Sequence, residues 1–247
     1  MGSVSETGHA KNVANFNTLI TYLIGYGTAY NPSNPAILIP NLQAKALQAQ
    51  TALDNVNTLF AAFKNASSDR ELAFEPLTKL STRIFNALKA TNASQQQIEN
   101  AETHHRKLQG RRASVKLSEE EKASLAAAGK EVNQISATQL SYDNQLDNLD
   151  KQIKLLSTIS AYTPNEPELQ ITGLSTLYTN LFNKNQLSTT QLAALNNGRL
   201  QRNEIMYNPE IGLVAIATDA KTYAKSVYGA NAPQFKLISG IAFKPLN

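Results

Sequence analysis

LQAKALQAQTALDNVNTLFAAFKNASSDRELAFEPLTKLSTRIFNAL, residues 42–88, decides the fold class. Leu42, Ala46, Ala49, Leu53, Val56, Phe60, Phe63, Ser67, Arg70, Phe74, Leu77, Ser81, Ile84 and Leu88 follow one another in alternating steps of four and three. Such steps keep side chains on one stripe of an α-helix. A stripe sustained this far is a heptad seam between long helices packed at shallow angles. The expectation is an all-α protein, an elongated antiparallel bundle of long helices. Pro76 interrupts the seam, because proline inside a helix costs about 3 kcal/mol but is tolerated in a first turn. The spacing predicts a helix over 38–74, a break, and a second helix to residue 91.

Upstream of this stretch stands Ala29-Tyr30-Asn31-Pro32-Ser33-Asn34-Pro35, and Ala161-Tyr162-Thr163-Pro164-Asn165-Glu166-Pro167 repeats it 132 residues later. The same shift carries Leu42 to Leu174. With one inserted residue, Arg70-Glu71-Leu72-Ala73-Phe74-Glu75-Pro76 matches the stretch from Arg202 to Pro209. Repetition at a fixed period predicts two related halves.

Val13, Phe16, Ile20, Leu23 and Ile24 predict a helix over 10–27, and the two proline turns end what precedes them. Residues 95–109 read as a polar helix. Ser118 and Glu121 form a capping box. The seam from Leu125 through Ala128, Val132, Ile135, Gln139, Tyr142, Leu146, Leu149 and Ile153 to Leu156 predicts one helix of about 40 residues. In the second half Leu174, Tyr178, Leu181, Leu192, Leu195, Met206, Leu213, Ile216, Ala220, Tyr223 and Val227 keep the stripe. Asn208-Pro209 reads as a cap with a first-turn proline. Gly229 stops that helix. Phe235, Leu237, Ile241 and Phe243 alternate, which predicts an extended tail. The expected organisation is a polar segment 1–9, a first repeat with basic connector 10–117, a long helix with second repeat 118–232 and a tail 233–247, all one packed domain.

Composition narrows function more than it reveals it. The formal net charge is +4, too mild to mark a nucleic-acid binder, and no nucleic-acid partner is expected. With no cysteine there is no disulfide, thiolate chemistry or cysteine zinc site. The start, Met1-Gly2-Ser3-Val4-Ser5-Glu6-Thr7-Gly8, lacks the apolar core of a secretory leader. A cytoplasmic location is expected, with export by another route left open. No run of about 18 apolar residues predicts a spanning helix.

Each chemically suggestive motif has a plainer reading. Glu102-x-x-His105 puts a carboxylate and an imidazole on one helix face, as di-iron bundles require. Such sites need the motif twice, and the only histidines are His104, His105 and His9, the last in the polar N-terminal segment. A solvated helix end is the expectation. The basic segment 105–116, with Arg111-Arg112-Ala113-Ser114 inside it, could meet phosphate or anionic lipid. It has no interleaved aromatic and reads as a charged connector. Arg70 and Arg202 sit at matching seam positions, where a buried guanidinium needs a partner. Glu71, Glu75, Glu204 and Asp219 are candidates. A structural polar layer is expected, with an anion site near a pseudo-twofold axis as the alternative. Tyr30 and Tyr162 are expected to pack on the helix that follows each turn. No Gly-rich phosphate loop, nucleophile elbow or His-Glu-x-x-His is present. No catalytic, cofactor-binding or metal residue is assigned.

Gly8-His9-Ala10-Lys11-Asn12-Val13-Ala14-Asn15-Phe16, Gly25-Tyr26-Gly27-Thr28-Ala29-Tyr30-Asn31-Pro32, Arg106-Lys107-Leu108-Gln109-Gly110-Arg111-Arg112-Ala113-Ser114 and Lys225-Ser226-Val227-Tyr228-Gly229-Ala230 resemble an uncharacterised bacterial protein family with duplicated helical halves. The likeness spans the chain and includes its start, so Met1-Gly2-Ser3 is expected to be native. It implies no activity, so no residue role is carried over.

The functional expectation is therefore a non-enzymatic structural or protein-interaction bundle that binds a protein partner or itself. A membrane-active protein resembling helical pore-forming toxins is the alternative. It would use Phe16–Tyr30 or Gly212–Ala217, by fold analogy alone. A metal-dependent enzyme around Glu102 and His105 is the weaker alternative.

Overall fold

Helices form where the seams run, and local chemistry sets their ends. The structure, a computed structural model, describes residues 6–111, 118–128 and 140–245. Among them the regular elements are all helical: α1 (Glu6–Gly25), α2 (Ile39–Phe74), α3 (Leu77–Lys89), α4 (Gln95–Leu108), α5 (Glu119–Ala127), α6 (Tyr142–Ser157), α7 (Ile171–Tyr207), α8 (Leu213–Tyr228) and α9 (Pro233–Ser239). The protein is all-α, as the seams predict. Pro76 stands between α2 and α3 with φ −74°, a first-turn geometry. Reciprocal capping boxes start α4 (Ser94 with Gln97) and α5 (Ser118 with Glu121). Gly229, at φ 86°, lets the chain leave α8 through a conformation that a Cβ would strain.

Three predicted elements come out differently. The predicted helix of about 40 residues is not continuous: α5 stops at Ala127, and Ser141 caps α6 by accepting from the Asn144 amide at 3.3 Å. A serine cap side chain competes with helix continuation, which a count of apolar spacing does not register. Val132, Ile135 and Gln139 of that seam lie outside the described residues. Asn208 does not start α8. Its Oδ1 accepts from the amides of Glu210 and Ile211 in a tight turn, and the helix begins at Leu213. The tail is not extended throughout: Pro233 opens the short helix α9, which buries Ile238 and exposes Leu237.

The chain divides into two compact units that cut across its sequence halves. One comprises residues up to Lys64 together with those from Gln191 onward; the other runs from Asn65 to Thr190. The first takes α1, the Tyr30 turn, the opening stretch of α2, the closing stretch of α7, α8 and α9. The second takes α6, the Tyr162 turn, the opening stretch of α7, the closing stretch of α2, and α3 to α5. Each thus draws a first portion from one long helix and a last portion from the other.

Phe16, Leu19, Leu23, Leu42, Met206 and Leu213 lie at the heart of the first core, and Ile84, Leu88, Leu108, Leu149, Leu156 and Leu174 at the heart of the second. In the second unit α4 packs on α3 and α6; in the first, α8 packs on α1 and α9. Leu53 and Leu149 are buried as predicted, but Phe60 and Leu192 are 44% and 40% exposed. Both lie within a few residues of the points where α2 and α7 pass from one unit to the other. There the stripe leaves one core before it enters the next.

Candidate functional site

Tyr30 and Tyr162 are buried in their respective units. Tyr30 donates its hydroxyl to the Ile37 carbonyl at 2.9 Å, and Tyr162 donates to the Leu169 carbonyl at 2.8 Å. Each phenol ties the start of its turn to the start of the long helix that follows. Tyr30 also meets Tyr223 edge-on, with centroids 5.3 Å apart. Burial raises both phenol pKa values, Tyr162 to about 12. Structural work occupies both hydroxyls.

Arg70 and Arg202 do not share one environment. Arg70 is half-buried in the second unit. Its guanidinium lies 4.1 Å from the Tyr142 ring centroid and donates to Asn185 Oδ1 at 3.1 Å. Asn185 donates in turn to Asp143 at 2.7 Å. An amide and a ring therefore hold it, rather than Glu71 or Glu75. Arg202, in the first unit, is 2% exposed and donates through Nε and Nη2 to Asn203 Oδ1 at 3.1 and 2.8 Å. Glu204 accepts from Asn208 at 2.6 Å.

The Glu102–His105 spacing resolves into packing. His105 is buried, not solvated. Its Nδ1 is 2.9 Å from Ser81 Oγ, and its ring stacks on Phe85 at 4.8 Å with an 11° tilt. Burial and then Arg111 lower its pKa, against a smaller opposing effect of Glu102. His104 is half-buried; burial, then Lys107, lower its pKa against an opposing effect of Asn148. Ser81 is fully buried and His105 is 9% exposed. No group of three or more potential metal-ligating side chains occurs among the described residues. On α6, fully buried Gln152 has neither amide atom hydrogen-bonded.

Of the basic segment, Gln109 bonds back to α3 through the Thr78 carbonyl and Thr82. Residues 112–117, including Ser114, lie outside the described residues. No helix among the described residues is long and apolar enough to cross a membrane.

Spacing did not single out two further features of the first unit. An open hollow of about 500 Å³ lies between α2 and α7, lined by Ala44, Leu47, Gln48, Thr51, Ala52, Asn55, Gly198, Gln201 and Ile205. Gly198 lets α2 approach α7 closely: a Cβ on it would come within 2.7 Å of Leu59 Cδ1. The second feature surrounds residues 241–244. Asn12 is buried and spans Lys244, donating to its carbonyl and accepting from its amide, both at 2.8 Å. His9, expected in a polar segment, is 3% exposed, with Nδ1 2.6 Å from the Tyr207 hydroxyl. Two Asn residues three apart beside the apolar stripe of α1 carry no periodic signal of their own, which is why the sequence hid them. Comparisons with protein-family models, with curated proteins and with solved structures find no match for this chain.

Proposed function

We propose that this is a non-enzymatic helical bundle that binds protein, including further copies of itself, through the hollow of its first unit. The carrying observation is a contrast between places 132 residues apart. In the second unit Lys184 of α7 and Asp69 of α2 form a 2.9 Å ion pair. At the matching positions the first unit has Ala52 and Gln201, which line the hollow. Leu47 on its rim is 69% exposed, and Leu200 on the same unit is 67% exposed. A large aliphatic side chain such as Leu47, exposed beside an apolar hollow, suits the apolar stripe of a partner helix.

The test is light scattering over a concentration series, beside a variant that closes the hollow, Ala52→Lys with Gln201→Asp. The expected result is a mass above 26.9 kDa for the natural chain and a return to 26.9 kDa for the variant. A natural chain that stays at 26.9 kDa throughout and retains no partner from its native extract would overturn the reading.

We also propose that the two halves descend from one repeated unit. The paired Tyr turns support this, as do α2 and α7, of 36 and 37 residues. The edge-on rings of His9 with Tyr207 and of Tyr142 with Phe74, displaced by 133 residues in each partner, add to it. An experimental structure in which 30–74 and 162–207 fail to superpose would remove this proposal.

A further inference from the structure

Residues 241–245 carry no helix, yet α1 and α8 hold them mainly by their backbone. Asn12 pairs with the Lys244 amide and carbonyl, as a neighbouring β-strand would. Asn15, one step along the same face of α1, donates to the Ala242 carbonyl at 2.6 Å. From α8, Lys221 donates to the Ile241 carbonyl. One side chain serves as the anchor. The Phe243 ring meets Phe16 edge-on at 6.4 Å and lies 5.2 Å from the Lys221 ammonium.

Side chains that read successive main-chain groups accept many sequences, and a single aromatic pocket adds selectivity. That division of labour belongs to receptors for extended peptides. We propose that the α1–α8 face is a binding site for an extended peptide bearing an aromatic residue. Its partner is the 241–244 segment of a second copy, exchanged for the chain's own. This goes beyond the protein-binding reading above and stands on different residues. The linker ahead of the segment is short, so the resident copy competes at a local concentration on the order of millimolar. Exchange between chains therefore shows only when the resident anchor is weakened or the protein is concentrated.

The test titrates a labelled peptide of residues 238–245 into full-length Phe243→Ala protein and reads fluorescence anisotropy. Saturable binding is expected, about tenfold or more tighter than to the natural chain, whose own segment competes. The same peptide carrying Phe243→Ala, or protein carrying Asn12→Leu as well, should lose it. Folded Phe243→Ala protein that leaves the peptide unbound overturns the proposal.

Should Phe243→Ala lose its helical circular dichroism, a cysteine pair decides instead, because the natural chain has no cysteine. Copies bearing Asn15→Cys are mixed at high protein concentration with copies bearing Ala242→Cys under mild oxidation. Mixed disulfide dimer above the level given by a Thr218→Cys control supports exchange, and dimer at the control level overturns it. Peptide binding by a chain that is monomeric in light scattering and retains no partner from its native extract would uphold this site while sinking the hollow. Association without peptide binding would do the reverse.

Discussion

Tyr162 donates its hydroxyl to the Leu169 carbonyl at 2.8 Å, closing the Pro164–Pro167 turn onto the start of α7. Removing only that hydroxyl leaves a buried carbonyl without its partner. Tyr162→Phe should cost about 1–2 kcal/mol in urea unfolding, and Tyr30→Phe a similar amount at the matching Ile37 carbonyl. If both substitutions were neutral, the phenols would be mere packing.

The same phenol makes stability alkali-sensitive. Burial first, then Glu166, raise the Tyr162 pKa from 10.0 to about 12. The folded state keeps the proton longer than the unfolded chain does, so this contribution is complete below pH 10 and declines as pH rises from 10 to about 12. Urea midpoints across that range should fall, and fall less steeply in Tyr162→Phe.

His105 gives the opposite flank. Its pKa lies below the ordinary 6.5 because burial, and then Arg111, disfavour the imidazolium; Glu102 and Ser81 act against them. His104 is lowered too, by burial, Lys107 and Lys151 against Asn148 and Asp147. The unfolded chain takes up these protons first. Stability is therefore full above pH 6.5 and declines as pH falls through it toward the folded values. A urea midpoint lower at pH about 5 than at about 8, with the gap narrowed in His105→Gln, is the expected result.

Gln152 is fully buried between apolar neighbours of α6, with both amide atoms unpaired. Unmet hydrogen-bonding capacity of this kind costs about 1–3 kcal/mol. Gln152→Met keeps the shape and removes the polar atoms, so thermal unfolding should shift upward. A lower midpoint would show that the amide has a partner in solution.

Arg70 and Tyr142 should be energetically coupled through their 4.1 Å cation–ring contact. A double-mutant cycle with Arg70→Met and Tyr142→Leu should return about 0.5–2 kcal/mol of coupling. Zero coupling would assign Arg70's role to Asn185 alone.

The seam made the fold class and most helices legible. Leu42, Leu53, Phe74, Leu77, Ile84 and Leu88 are buried at the positions that alternating steps of four and three select. Pro76, Ser118 and Gly229 announced their helix ends because each acts through its own backbone geometry or a hydrogen bond a few residues away. Such effects are local, and a linear chain displays them.

What spacing cannot express is which stretch meets which. Nothing in the order of residues says that α2 and α7 each serve two cores, and so Phe60 and Leu192 looked like interior residues. His9 read as part of a polar segment, and spacing gave Asn12 and Asn15 no role, until Tyr207 and residues 242–244 arrived from about 200 residues away to meet them. A polar side chain is stable inside when its partner is present, and only the folded chain supplies that partner.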